Sequence, residues 1–210
     1  EYNRIAYLEG EARLADGGVA VNGTPILAPK VIIATGARPA LPDIPGIGAV
    51  AYLTSTTALD LSELPRSLLV VGGGYIGCEL AQLFARAGVN VTIVSRRGLL
   101  PEAEPEIAEA LARYFADEGI PTVSGIAYRE IEETSDGIAL SVVKDGKPIR
   151  LNAEKVLVAT GRAPNVEGLG LPNAGVAQAD DGSIRIDNRM RTTRSGVYAA
   201  GDVTGRDQFV

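Results

Sequence analysis

The stretch Val70-Val71-Gly72-Gly73-Gly74-Tyr75-Ile76-Gly77-Cys78-Glu79-Leu80 runs an apolar segment, begun at Ser67, straight into three glycines. Beyond them Leu80, Leu83, Phe84 and Ala87 recur at helical spacing, Gly88 stops the pattern, and residues 89–94 alternate as a second strand. The unit therefore reads as strand, helix, strand. Gly72-x-Gly74-x-x-Gly77 falls where the first strand hands over to the helix, and each glycine has a physical reason there. Gly72 permits a tight turn, Gly74 lets a pyrophosphate come against the backbone, and Gly77 lets helix and strand pack closely. The free amides and the dipole at the helix start favour negative charge. The segment Gly72, Gly73, Gly74, Tyr75, Ile76 and Gly77 is accordingly expected to hold dinucleotide phosphates, against the plain alternative of a structural turn.

The end of the second strand decides which nucleotide is held. An Asp or Glu there bonds ribose hydroxyls, but this chain has Ser95-Arg96-Arg97. A hydroxyl followed by two guanidinium groups suits a 2′-phosphate, which a carboxylate would repel and Arg grips in bidentate fashion. NADPH is the expected ligand, the alternative being that the two arginines mark only a solvated turn.

The rest of the chain places this unit in an α/β, Rossmann-like fold with a central parallel sheet. Residues 13–21 form a hairpin turning at Asp16-Gly17-Gly18, and Lys30 to Gly36 is a buried strand. A connection with Pro39, Pro42, Pro45 and Gly46 leads to the central unit. Pro105 opens a second helix with Ile107, Leu111, Tyr114 and Phe115 on one face, and Gly119 closes it before a short strand at Thr122-Val123. An antiparallel meander follows through residues 138–151 and ends in the strand Lys155 to Gly161. That strand repeats an earlier one: Ala28-Pro29-Lys30-Val31-Ile32-Ile33-Ala34-Thr35-Gly36 aligns with Ala153-Glu154-Lys155-Val156-Leu157-Val158-Ala159-Thr160-Gly161, and both run on into Arg and Pro. The first copy lacks a complete fold before it, which suggests a second dinucleotide fold cut away upstream, although such a short match also arises by chance.

Composition bounds the chemistry. The 210 residues, 46% hydrophobic and 22% charged, exclude a disordered or collagenous chain. A net charge of −6 with basic residues scattered argues against a nucleic-acid partner, and no apolar run reaches membrane-spanning length. Glu1 is neither a start Met nor part of a signal peptide, so the chain is expected to be a piece of a longer protein. With no His and one Cys, neither a His/Cys metal cluster, nor a His base, nor an internal disulfide can be built from these residues. Cys78 reads as a small apolar residue packing its helix on the sheet.

Together, VVGGGYIGCELAQLFARAG, the two Ala-Thr-Gly segments and Val197-Tyr198-Ala199-Ala200-Gly201-Asp202 resemble the two-dinucleotide-fold flavoprotein disulfide reductases, the family of glutathione reductase, dihydrolipoamide dehydrogenase and mercuric reductase. Tyr52-Leu53-Thr54-Ser55-Thr56, Ala58-Leu59, Arg191-Thr192-Thr193 and Gln208-Phe209-Val210 favour the mercuric reductase branch. The resemblance implies three parts: residues 1–50 and 169–210 from an FAD-binding domain, contributing partial flavin-domain strands, and 51–168 as the NADPH-binding domain. It implies that Thr35, Gly36 and Ala37 lie against FAD, and that Asp202 accepts a hydrogen bond from the ribityl chain. By the same resemblance Tyr75 covers the flavin until nicotinamide displaces it, Glu79 stands near the nicotinamide, and Gly161 touches the cofactor through its backbone. Plainer roles stay open for three of these: an acid at a helix start for Glu79, a packed aromatic for Tyr75, a strand-end cap for Asp202. The implied parent is a cytoplasmic homodimer in which NADPH reduces FAD, FAD reduces a cysteine pair, and the thiolates deliver electrons to Hg(II). Neither the pair nor any catalytic residue is in this chain, which is expected only to bind nucleotide. A glutathione- or lipoamide-type reductase is the enzymatic alternative, a nucleotide-sensing module the non-enzymatic one.

Overall fold

The computed structural model describes residues 5–206 and divides into two compact units. One comprises the described residues up to Arg38 together with those from Arg162 onward; the other is Pro39–Gly161.

The first unit opens with three antiparallel strands, β1 (Ala12–Ala15), β2 (Gly18–Val21) and β3 (Thr24–Leu27). The expected hairpin turns at Asp16-Gly17. A second turn at Asn22-Gly23, both with positive φ, matches the twist of the strands and adds β3, which the sequence reading left out. Further on come β4 (Val31–Ile33) and the short β5 (Ala37–Pro39), whose last residue is the first of the second unit.

In the second unit the chain runs through β6 (Tyr52–Leu53), α1 (Ser55–Leu59), β7 (Ser67–Val71), α2 (Tyr75–Arg86), β8 (Asn90–Ser95), α3 (Pro105–Asp117) and β9 (Thr122–Ser124). The meander β10 (Ile126–Thr134), β11 (Gly137–Lys144) and β12 (Lys147–Ala153) follows, and β13 (Lys155–Val158) completes the unit. The strand order of the main sheet is β6-β13-β7-β8-β9, every neighbouring pair parallel, as expected for a Rossmann-like fold; β10-β11-β12 form a separate antiparallel sheet. The alternation along β7 explains the layering. Leu68 and Val70 face Cys78, Leu80, Ala81 and Phe84 of α2 and Phe115 of α3, whereas Leu69 and Val71 face Ile126, Ile131, Ile138 and Leu140 of the meander. A strand buried on both faces has to be apolar throughout, which is why residues 68–71 read as a continuous run.

The helices sit differently on that sheet than the apolar spacing suggested. Leu80 and Phe84 are buried with Gly77, Cys78 and Ala81, but Leu83 is 51% exposed. In α3 Phe115 is buried, while Ile107 and Tyr114 are 51% and 62% exposed. Neighbouring helix positions lie about 100° apart, so Tyr114 turns outward when Phe115 points in. Among the described residues no helix is long and apolar enough to cross a membrane.

Back in the first unit, β14 (Arg162–Pro164) and β15 (Val197–Ala199) follow, and β15 pairs in parallel with β4. Its core gathers Ile33, Leu171, Val176, Ile184, Val197, Ala199 and Val203.

Cys78 sits within the second unit's core, its Sγ 3.4 Å from the Gly73 carbonyl. Burial is the main cause that pushes the thiol up to about 11 from 9.0. Since the folded value is the higher one, the neutral thiol's contribution to stability is complete below about pH 9 and is lost as pH rises towards 11. Cys78 is therefore expected to be inert to Ellman's reagent at pH 8 in the native protein and to react fully in denaturant, as absorbance of the released thiolate would record.

Candidate functional site

The glycine segment forms the turn from β7 into α2. Gly72 has φ 122°, and a side chain there would collide with the carbonyl oxygen of Ala159 at the end of β13. Gly77 lies in the first turn of α2, where a Cβ would run into the carbonyl of Gly72. Gly73 is closed off by the carbonyl of Gly98. Gly74 differs from all three. It is the N-cap of α2 with extended backbone (ψ −177°), and a Cβ built on it meets nothing within 4 Å. No side chain caps this helix end and no acid occupies its first turn, so the first amides of a twelve-residue helix open onto free space.

That space is a cleft of about 210 Å³ at the C-terminal ends of the parallel strands. Strand order departs from β7 in both directions here, β13 on one side and β8 on the other, the switch point at which open α/β sheets form crevices. Gly72, Gly73, Gly74 and Tyr75 line one wall, Ser95, Arg96 and Arg97 another, and Ala159, Thr160 and Gly161 a third. Ile76 instead packs against the helical core, Gly77 is buried beneath the turn, and Glu79 is exposed outside the cleft lining.

The turn after β8 is braced rather than loose. Ser95 is buried, its Oγ donating to the Gly98 carbonyl (2.8 Å) and accepting from the Gly98 amide (3.2 Å), so this hydroxyl orders the turn. Leu100 takes φ 42°, an uncommon conformation for a bulky residue, held by its amide donating to the Gly73 carbonyl at 2.6 Å. Arg96 and Arg97 are thereby presented at the cleft. Arg97 pairs with Glu102 (2.8 Å), whereas none of the ion pairs among the described residues involves Arg96.

Tyr128, on β10, is a cleft residue that sequence reading missed. Ile126 and Ile131 are both buried although five positions apart, because a bulge between Tyr128 and Glu130 inserts one residue into the strand. The bulge breaks the alternation that would have revealed the strand's inward face. Burial raises the Tyr128 phenol above its ordinary pKa, with the charge of Arg96 opposing, so it is a neutral hydrogen-bonding group at pH 7.

The other anticipated residues lie in the first unit. Thr35 donates to the Asn165 carbonyl (2.6 Å), Asn165 Nδ2 donates to the Thr35 carbonyl (2.9 Å), and the Asn165 amide donates to the Gly36 carbonyl (2.9 Å). Arg162 joins Ala37 and Asp202: its guanidinium donates to the Ala37 carbonyl (2.6 Å), and Nε stands 3.3 Å from Asp202 Oδ2. Arg162 Nε is a buried polar atom without a hydrogen-bond partner. The repeat marked Arg162 only as the arginine that follows the strand, without a role, and Asn165 was not singled out from sequence. Gln208-Phe209-Val210 lies outside the described residues.

Known proteins are similar to this chain in sequence and in fold. The family profile of the pyridine nucleotide-disulphide oxidoreductases matches residues 1–210. A mercuric reductase of Bacillus cereus is 43% identical over 97% of this chain and one of Staphylococcus aureus 40% over 97%; a dihydrolipoyl dehydrogenase of Chlorobaculum tepidum is 40% identical over 91%. The chain covers 38%, 32% and 40% of the S. aureus, B. cereus and C. tepidum proteins respectively. The solved structure of RclA, an HOCl-induced flavoprotein disulfide reductase from Escherichia coli, superposes with a TM-score of 0.85 at 33% identity, over 96% of this chain and 46% of that one. With its whole length matched, this chain belongs to the pyridine nucleotide-disulphide oxidoreductase family.

Proposed function

We propose that Pro39–Gly161 is the nicotinamide-nucleotide domain of a flavoprotein oxidoreductase, that it takes NADPH, and that the first unit supplies part of an FAD site. The observation that carries the reading is the open space over Gly74 at an uncapped helix start, in one cleft with Arg96, which forms no ion pair among the described residues. The pyrophosphate would occupy the volume that any side chain at Gly74 would fill, with the first amides of α2 donating to it. Arg96 would grip a 2′-phosphate, and the half-buried Tyr128 ring beside it would offer the adenine an apolar face. Tyr75, largely exposed at the cleft, would act as the movable aromatic, Gly161 would meet the cofactor through its backbone, and Glu79 would act near the nicotinamide from one turn further along α2.

For FAD the fitting observation is the buried, unpartnered Nε of Arg162 beside Asp202 and Ala37. Asp202 would accept from a ribityl hydroxyl, Arg162 would hold that carboxylate in place, and Thr35, Gly36 and Ala37 would present backbone to the flavin. When bound, FAD supplies hydride acceptance from NADPH and onward transfer to a cysteine pair. These 210 residues contain one cysteine, buried, so a pair would have to be supplied from outside them. The first unit's sheet supports an origin in a larger domain: β4 and β15 make a parallel pair of two strands, and Ile32 on it is 69% exposed.

Hg(II) is the proposed terminal acceptor, on the strength of the mercuric reductases among the relatives; the homodimeric, cytoplasmic parent is proposed on the same footing. The dihydrolipoyl dehydrogenase at 40% identity favours a second reading in which the acceptor is a disulfide. NADPH oxidation by the full-length protein with Hg(II) or lipoamide as acceptor separates the two. The 210-residue chain alone is proposed to bind nucleotide without oxidising it.

Two glycine substitutions test the cleft by opposite outcomes. Gly74→Val should leave thermal unfolding near that of the parent chain yet abolish NADPH binding by calorimetry. Gly77→Val should lower stability by about 1–3 kcal/mol or more, because it drives a side chain into backbone. Binding retained by a folded Gly74→Val chain would place the phosphates elsewhere. The unsubstituted chain should prefer NADPH over NADH, and Arg96→Ala should remove about tenfold of that preference, the effect of one charged hydrogen-bonding partner. Equal affinities in the parent chain would exclude the NADPH assignment.

A further inference from the structure

The cleft that we read as the NADPH site contains its own anion. Glu102 lines it together with Arg96 and Arg97, and its Oε1 lies 2.8 Å from the Arg97 guanidinium. Both side chains are about 70% exposed at the lip, 69% and 71%, so the pair is not a core element on which folding depends. The carboxylate nevertheless has a fixed origin. The turn that carries it is pinned at Ser95 by two hydrogen bonds with Gly98 and at Leu100 by the bond to Gly73; Pro101 then restricts φ, and the Ala103 amide bonds to the Leu100 carbonyl at 2.9 Å. One braced loop thus presents two guanidinium groups and one carboxylate to the same cavity, which leaves it locally positive.

We infer that Glu102 competes with the nucleotide's 2′-phosphate for Arg97 and so sets how strongly this chain prefers a 2′-phosphorylated nicotinamide nucleotide. The inference rests on the reading of the cleft as a nicotinamide-nucleotide site. A 2′-phosphate that engages Arg97 has to share the guanidinium with the Glu102 carboxylate or displace it, and in either case lies near it, like charge beside like charge. A 2′-hydroxyl brings no charge, leaves the Arg97–Glu102 pair intact, and can donate to the carboxylate. Arg96, which forms no ion pair among the described residues, is the cation that remains available in either case. Glu102 therefore penalises NADPH and not NADH, which makes it a specificity-determining residue of the opposite sense to the arginines beside it.

Calorimetric titration of the 210-residue chain with NADPH and with NADH tests this, using Glu102→Gln, which keeps size and removes charge. At low salt NADPH should bind the variant about three- to fivefold more tightly than the parent chain, the size of a surface charge interaction, while NADH affinity stays within about twofold. At about 0.5 M salt, where screening acts over about 4 Å, the gain should shrink. In an Arg97→Ala background Glu102→Gln should still raise the NADPH to NADH ratio, because the unpaired carboxylate then repels the 2′-phosphate directly. An unchanged ratio, or equal tightening of both nucleotides, would overturn the role of Glu102 while leaving the cleft a nucleotide site. Binding of neither nucleotide by the unsubstituted chain would remove the cleft reading, and the inference with it.

Discussion

The architecture of the second unit depends on one close approach, that of the first turn of α2 to the ends of β7 and β13. At Gly72 and Gly77 the space a side chain would need is already filled by the carbonyls of Ala159 and Gly72. The helix can therefore begin directly over the sheet, and its unbonded amides point along the strands into the crevice beyond their C-terminal ends. A longer connection would set the helix back and dilute that field, which falls off within about the first turn. Packing and electrostatics here have the same origin: the contact that seals the helical core also aims the positive end of the helix.

A second layer of constraint surrounds that point. The loop after β8 holds Leu100 in a left-handed conformation, a local cost of about 1–3 kcal/mol that persists only where neighbours over-determine it. The bond from Leu100 to Gly73, the two between Ser95 and Gly98, and the burial of Leu99 and Leu100 provide that. The loop cannot swing away without undoing all of them. Three charged side chains are consequently held at the lip on short tethers, and the sign of the cleft is set by how those three pair with one another rather than by the chain's overall charge of −6.

How much of this was legible in sequence follows from what each element contributes locally. The strand, glycine turn and helix of the opening stretch were legible because a doubly buried strand must be apolar and a close approach must be glycine; both demands show at fixed positions. Helix rotation was only half legible. The spacing of apolar residues gave the existence of α3 but not that Tyr114 and Ile107 face outward, since that depends on which side meets the sheet. β3 escaped because its four residues, Thr24–Leu27, include a proline and alternate weakly, and Tyr128 escaped because the bulge in β10 shifts the phase of its strand by one residue. At the site, Ser95-Arg96-Arg97 was legible as a basic turn, but the pairing of Arg97 with Glu102 and the commitment of the Ser95 hydroxyl to Gly98 are tertiary facts. The role of Arg162, and Asn165 altogether, were hidden for the same reason: what sets them apart is contact with residues more than a hundred positions away.

The repeated strand illustrates how a weak sequence signal acquires physical content. In both copies a Val/Ile/Leu-rich strand leads to Thr-Gly with positive φ at the glycine, 67° at Gly36 and 112° at Gly161, and a proline follows three positions later, Pro39 and Pro164. The contacts correspond as well. Thr35 donates to the carbonyl of Asn165 and the Asn165 amide to that of Gly36; Thr160 donates to the carbonyl of Ala40 and the Ala40 amide to that of Gly161. Asn165 and Ala40 each stand four residues after the glycine of the other copy. Chance resemblance of two strands gives no reason for the threonine of each to find the same partner position beyond the other, nor for the amide at that position to return a bond to the matching glycine. A repeat maintained by reciprocal backbone contacts does. The hydroxyl, the positive-φ glycine and the proline are then the parts of the pattern that do physical work in both copies, and the apolar strand before them is interchangeable core.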